Sequence, residues 1–319
     1  MTTKIALLGF GTVGKGTYRA LTQNAAEIER KTGKRIEVKK ILEKNPAVIG
    51  SGLAPKELFT QDFDSIVNDP EISIVAEIIG GSEPATTFML RALRAGKHVV
   101  TPNKAVIAAN YDMFRQAAAE NGVQIRYEAS VGGAIPVIET IRKSLVANRI
   151  TKVQGIVNGT TNYILTKMEE EGMSYGDALK QAQESGFAEQ DPTADVEGID
   201  SANKLSILIA ECFGVYIKPT ELDRTGISKL TRDDLRLATQ NGCKLKLIAS
   251  AERKEDGSIE AFVRPTEVPQ DSPLAAVRNE FNGILFSCNM ADKIFLSGRG
   301  AGMDPTGSAM AADIISLAK

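Results

Sequence analysis

Lys4 to Gln23 reads KIALLGFGTVGKGTYRALTQ: an apolar run, three spaced glycines, then an amphipathic segment. Ile5 to Leu8 fits a short strand, and Gly9, Gly11 and Gly14 keep the spacing G-x-G-x-x-G before a helix. The first glycine allows a tight turn, the second lets the backbone approach a pyrophosphate, and the third permits close packing of helix on strand. The helix N-terminus, with its unpaired N–H groups, attracts the phosphate charge. A glycine triplet by itself is a weak signal. With a strand before it and a helix after it, the segment Gly9, Phe10, Gly11, Thr12, Val13 and Gly14 favours dinucleotide binding over a merely structural turn.

The alternation continues outward from this loop. RIEVKKILEK reads as a second strand, SIVAEIIGG as a buried strand ending in Gly80 and Gly81, and ATTFMLRALRAG as a helix. KHVVTPNK then reads as a strand, YDMFRQAAAENG as a helix and VQIRYEAS as a strand. Strands alternating with helices predict an α/β fold with a doubly wound parallel sheet. Ligands of such sheets sit beyond the carboxyl ends of the strands, here the loops at Gly11 to Val13, Gly80 to Ser82 and Thr101 to Lys104. Lys104, after Pro102, is placed at a strand terminus facing the nicotinamide, with a solvated lysine as the alternative. Glu43 could accept the ribose hydroxyls of NAD, and Lys44 could attract the extra phosphate of NADP, so the choice of cofactor stays open.

The totals narrow the class of partner. The 319 residues suit two domains, and 43% hydrophobic with 24% charged residues is a soluble globular composition. The net charge of -2 includes no basic run, which speaks against nucleic acid and anionic membranes and for a small-molecule substrate. The amino terminus enters a strand pattern with neither a basic n-region nor a long apolar run, giving a cytoplasmic expectation. Cys212, Cys243 and Cys288 lack metal or disulfide spacing and are expected to be buried thiols. The single histidine, His98, is expected to be structural because it lacks clustered partners.

After Tyr127 the pattern changes. ASVGGAIPVIETIRKSLVAN, with a glycine pair, a proline and an amphipathic helix, marks a boundary near residue 130. ITKVQGIVNGTTNYILTKMEEEG is strand, turn, helix, and its Asn158-Gly159-Thr160 turn could cap the helix and offer N–H groups to a substrate carboxylate. SGFAEQDPTADVEGIDSANK then gathers Glu189, Asp191, Asp195, Glu197 and Asp200 ahead of Lys204. An EF-hand starting at Asp191 is excluded, because Val196 and Ala202 occupy the glycine and glutamate positions. In the segment that follows, Leu205, Leu208, Ile209 and Cys212 keep helical spacing, so Asp200 and Lys204, four apart, share one side of a packed helix. An ordinary surface pair is one reading; a site for a substrate with an ammonium group and a reducible carbonyl is the other.

Ala182 to Lys204 resembles the signature of homoserine dehydrogenase over its whole length: Ala182, Gly186-Phe187-Ala188, Asp191-Pro192, Asp195-Val196, Gly198, Asp200 and Lys204. GFGTVG, GKHVVTPNKA, EASVGGAIP, NGTTNYIL and GRGAGMDPTGSAMAADI extend the resemblance along essentially the whole chain. It implies reversible reduction of L-aspartate 4-semialdehyde to L-homoserine with NADP or NAD, on the route to threonine, methionine and isoleucine. It implies Lys204 as proton donor and Lys104 as the lysine at the nicotinamide end. Glu189, Asp195 and Asp200 would bind the substrate, with Thr160 beside them, and Gly81, Gly186 and Gly302 would touch the cofactor. Glu128, Val131, Gly133 and Ile135 match a site for a monovalent cation, chiefly sodium, built largely of carbonyl oxygens; a plain glycine-rich turn is the alternative there.

The resemblance further implies a Rossmann-type dinucleotide domain of residues 1–130 and 302–319, and an α+β catalytic and dimerisation domain of residues 131–301. GSIEAFVRPTEV and DKIFLSG would supply the sheet of a homodimer. The regulatory ACT domain of longer members is not expected, nor feedback by threonine through it. The proton needed by the developing alkoxide would come from Lys204; a second cation and loss of water would ease its release, and the neighbouring acids would oppose it. Two rivals remain: a reductase of another amino-acid semialdehyde, and a nucleotide-binding sensor without catalysis, against which the presence of both lysines speaks.

Overall fold

In β1 (Thr2–Leu8) the residues Ile5, Ala6, Leu7 and Leu8 are all fully buried, as are Ile74, Val75 and Ala76 of β4 (Ile72–Glu77). Continuous rather than alternating burial is what a parallel strand covered on both faces requires. The computed structural model describes residues 2–318. Its chain divides into two units, Met1–Ala134 with Ala301–Lys319, and Ile135–Gly300. In the first unit β2 (Arg35–Leu42), β3 (Phe59–Thr60), β5 (His98–Val100) and β6 (Ile125–Arg126) complete a six-stranded sheet of order β3-β2-β1-β4-β5-β6. Every neighbouring pair is parallel. Strand order reverses between β1 and β4, so the loops after these two strands flank the topological switch point.

Two helices of this unit meet at glycines. A Cβ on Gly16, in the helix Thr12–Gln23, would lie 2.0 Å from the Met303 carbonyl oxygen, and one on Gly307, in the helix Met303–Leu317, would lie 2.4 Å from the Gly16 carbonyl carbon. The backbones therefore touch, and Met310, Ile314 and Leu317 join Ile5, Leu7, Phe10 and Leu21 in one apolar core. The last helix thus belongs with the glycine loop, far away in sequence.

Three segments depart from the sequence reading. KHVVTPNK ends as a strand at Val100, because Pro102 has no N–H to give a ladder and Asn103 caps a new helix, Lys104–Ala109. Lys104 is consequently the first residue of a helix and not a strand terminus. VQIRYEAS contributes only two strand residues, on the sheet edge, before a 3-10 turn at Glu128–Ser130. The amphipathic segment after Pro136 forms one α turn, Val137–Glu139, and widens into a π turn at Thr140–Ser144. His98 opens β5, where its Nδ1 accepts the Gln124 N–H at 3.0 Å, a structural bond. The three cysteines form no disulfide; the Cys212 thiol is buried, as expected, whereas Cys243 and Cys288 are half-buried.

The second unit is built on a mixed sheet. β7 (Ile150–Ile156), β8 (Asp223–Arg224), β9 (Cys243–Arg253), β10 (Ile259–Pro269), β11 (Phe281–Cys288) and β12 (Asp292–Arg299) take the order β12-β11-β7-β9-β10-β8. All neighbours run antiparallel except β10 and β8. Ile156, Ile248, Val268, Leu274, Val277 and Leu285 form an apolar cluster in this unit. The helix Ile199–Phe213 packs on β9 and β7 and buries Leu205, Ile207, Leu208 and Ile209 completely. Arg142 clamps it from outside with two bonds to Glu211, of 2.8 and 2.7 Å. Side chains on its first two turns are therefore held on a rigid support.

Candidate active site

In the second unit the site begins where β7 gives way to the helix Gly159–Glu170. Asn158 caps that helix: its Oδ1 accepts the Thr161 N–H at 2.9 Å. That bond fixes the amide's orientation, because only the oxygen can accept. The Asn158 nitrogen is then turned to the acids, donating to Asp195 Oδ1 at 2.6 Å and to Asp200 Oδ2 at 2.9 Å. Lys204 Nζ donates to the same Asp200 oxygen at 2.7 Å and to the Val157 carbonyl at 2.6 Å. Asp200 and Lys204 are 7% and 8% exposed, so this is a buried ion pair and not the solvated surface pair that spacing alone allowed.

Burial pushes the Asp195 carboxyl above the ordinary carboxylate range. The Asn158 amide pulls against that shift, the neighbouring Asp200 charge adds to it, and Lys204 and Thr160 pull down again. Thr160 is buried, and its hydroxyl donates to the Phe187 carbonyl at 2.7 Å. This bond ties the helix start to the loop after the helix Tyr175–Glu184, where Gly186 bonds back to Gln183. Thr160, Asp195, Asp200 and Lys204 are thus brought together. Glu189 is not part of the network: it is exposed, with its backbone carbonyl taken by Gln183. Asp191 caps the short turn at Thr193, a local role.

The first unit has its own constellation. Gly9, at φ 105°, turns the chain out of β1, and a Cβ there would lie 2.7 Å from the Ile78 carbonyl oxygen. A Cβ on Gly14 would lie 2.4 Å from the Gly9 oxygen, so this glycine seats the helix on the strand. Gly11 differs: nothing lies within 4 Å of its missing Cβ, and the first turn, with Thr12 and Val13, holds no acid. An open glycine at the head of a twelve-residue helix is a cradle that fits a pyrophosphate, so the residues present suit a dinucleotide. Phe10 is buried, with Tyr18 and Phe59 packed edge-on against its ring. The Glu43 carboxylate is held at the end of β2 by three backbone N–H donors, Phe10 at 3.1 Å, Lys44 at 2.8 Å and Asn45 at 2.9 Å. Lys44 itself is exposed.

Sequence reasoning passed over a second buried acid. Glu77, fully buried at the end of β4, accepts from the Ile79 N–H at 2.7 Å and from the Thr101 hydroxyl at 2.7 Å. Thr101 in turn receives the Asn103 N–H at 3.0 Å, and the Asn103 amide donates to the Gly81 carbonyl at 2.8 Å. The loops after β4 and β5 are locked together, and Lys104 follows directly from this lock. The signal was present: Glu77 is the one charged residue in SIVAEIIGG. Gly302 starts the last helix at φ 128°. Glu128 is buried, its N–H donating to Asp313 at 2.8 Å; Val131 and Ile135 are buried and Gly133 has φ 57°. Among the described residues no three His, Cys, Asp or Glu side chains are grouped to hold a metal.

Residues 136–315 match the family model described as homoserine dehydrogenase, and residues 9–128 match that described as homoserine dehydrogenase, NAD binding domain. The homoserine dehydrogenase of Bacillus subtilis is 40% identical over 317 residues, covering 99% of this chain and 73% of that enzyme. The crystal structure of a homoserine dehydrogenase from Thiobacillus denitrificans superposes with a TM-score of 0.95 at 42% identity, covering 99% of this chain and 73% of the other. A hyperthermophilic archaeal homoserine dehydrogenase in complex with NADPH gives 0.82 at 28% identity, covering 99% and 98%.

Proposed function

The chain belongs to the homoserine dehydrogenase family, an NAD(P)-dependent class of oxidoreductases acting on a CH–OH group, and on that premise we propose that it interconverts L-homoserine and L-aspartate 4-semialdehyde. The observation that supports the substrate is the Lys204–Asp200–Asn158–Asp195 network, in which a buried lysine stands beside two acids on rigid supports. The acids receive the substrate's ammonium group; Glu189, on an exposed loop outside the network, is the third acid of this reading. The backbone N–H groups of Gly159 and Thr160, at the start of the helix Gly159–Glu170, receive its carboxylate, while the Thr160 hydroxyl stays on the Phe187 carbonyl. Held at both ends, the carbonyl is presented in one orientation.

When bound, the reduced dinucleotide supplies a hydride for the aldehyde carbon. As that carbon is reduced its oxygen gains negative charge, which Lys204 Nζ first attracts and then neutralises by giving its proton. In the reverse direction the neutral amine takes the hydroxyl proton as hydride leaves. Lys104, fixed at the head of its helix, adds positive charge at the nicotinamide end. The glycine loop, Gly81 and Gly302 hold the cofactor by backbone, and Glu43 or Lys44 meets the adenosine ribose of NAD or NADP respectively.

The same reading would have the enzyme act in the cytoplasm on the route to threonine, methionine and isoleucine. Among the described residues no helix is long and apolar enough to cross a membrane. β10 and the edge strand β12 are half-buried along much of their length, which supports a homodimer through this sheet, and sedimentation of an active monomer would refute it. Oxygens of Glu128, Val131, Gly133 and Ile135, largely carbonyls, are donors of the hard kind that suits Na+. Purified protein given L-homoserine with NAD or NADP should produce the reduced nicotinamide absorbance. Serine or another amino alcohol turned over in preference would transfer the assignment to a different semialdehyde.

A further inference from the structure

We propose that Asn158 is a positioning residue for this reaction, its side-chain amide holding Asp195 and Asp200 side by side as one receptor for the substrate's ammonium group. The inference rests on the reading above and deepens it. Two carboxylates in a buried site repel, and the loop carrying Asp195 has a short turn, Thr193–Val196, to anchor it. The backbone carries Asp195 into the helix of Asp200 and Lys204 through the Gly198 N–H on the Asp195 carbonyl, but the two carboxylates are bridged by the Asn158 nitrogen, which spends one hydrogen on each acid. The same side chain closes the helix that carries Thr160, so one residue sets both ends of the substrate site. Asn158 is 5% exposed, and no other common side chain of its size offers two donors on one side and an acceptor on the other.

Lys204 gains from the arrangement indirectly. The Asp200 oxygen that accepts from Asn158 is the one that accepts from Lys204, so the amide fixes where the lysine's partner sits. Among the groups bearing on this network are Asp195, Asp200, Lys204, Thr160 and the Val157 carbonyl.

Two substitutions separate positioning from folding. Asn158→Ser and Asn158→Asp both keep an oxygen able to cap the helix, but neither donates to both acids; the aspartate also adds a third carboxylate. Homoserine oxidation is measured for each against wild type, with KM, kcat and their pH profiles, alongside Tm and cofactor Kd. The expected result is a rise in KM for homoserine of about tenfold or more, larger for Asn158→Asp, with the acid limb of the profile displaced and cofactor Kd within about twofold of wild type. If the folded fraction of both variants shows wild-type KM and pH profile, with any lost activity tracking Tm, the positioning role is overturned. A wild-type protein inactive on homoserine would instead sink the substrate reading, so the two failures are told apart.

Discussion

Lys204 Nζ and Asp200 Oδ2 lie 2.7 Å apart, one helical turn from each other, with little of either side chain open to solvent. A buried pair of this kind is costly to break, because the surviving charge is left without a partner. Asp200→Ala should therefore lower the unfolding free energy by about 3 kcal/mol as well as raise KM for homoserine. Urea denaturation checks the first and steady-state kinetics the second. Unchanged stability would mean that the pair opens to water.

Glu43 bears on cofactor choice. Its carboxylate is oriented at the end of β2 by three backbone donors, and under the proposed cofactor placement its negative charge would oppose a 2′-phosphate. Glu43→Gln should raise the ratio of kcat/KM for NADP over NAD, by about threefold to tenfold. A ratio that does not move, measured with saturating homoserine, would remove Glu43 from the cofactor site.

Lys246 gives a pH dependence of stability. It is almost fully buried in β9, donating to Asn162 Oδ1 at 3.1 Å and to the Val277 carbonyl at 2.8 Å. Burial pushes its ammonium down to about 8 from 10.5, against the pull of Glu169. The unfolded chain thus binds the extra proton between these two values, and this residue's contribution to stability rises with pH through that window. The cost below pH 8 is about 3 kcal/mol. Relative to Lys246→Met, the wild type should gain stability by up to that amount between pH 7 and pH 10. A difference that stays flat over the range contradicts the assignment.

The contact of Gly16 with Gly307 predicts a steric effect remote from chemistry. Gly307→Ala puts a methyl group where the Gly16 backbone lies, and the helices must separate. Thermal unfolding should report a loss of about 2 kcal/mol.

The parallel sheet was legible because its signal is local: β1, the glycine loop and the helix Thr12–Gln23 are contiguous, and β2, β4 and β5 each carry their own apolar run, whereas the two-residue β3 carries none and went unread. The acidic signature was equally legible, since Asp195, Asp200 and Lys204 lie within ten residues. What sequence could not supply is closure over distance. Asn158 looked like a helix cap because the acids it bridges arrive 37 and 42 residues later. Glu77 was absorbed into an apolar strand because its partner Thr101 comes from the next one. Lys104 was misplaced by a turn because Asn103 can end a strand or cap a helix, and its bonds to Gly81 and Val106 decide for the helix. Glu189 shows the reverse: a motif position whose side chain the fold leaves exposed, outside the hydrogen-bonded core of the site.

If Lys204 gives and takes the proton, Lys204→Ala should turn over L-homoserine with a kcat lower by about a hundredfold or more and with cofactor Kd unchanged. Turnover near that of the wild type would contradict it.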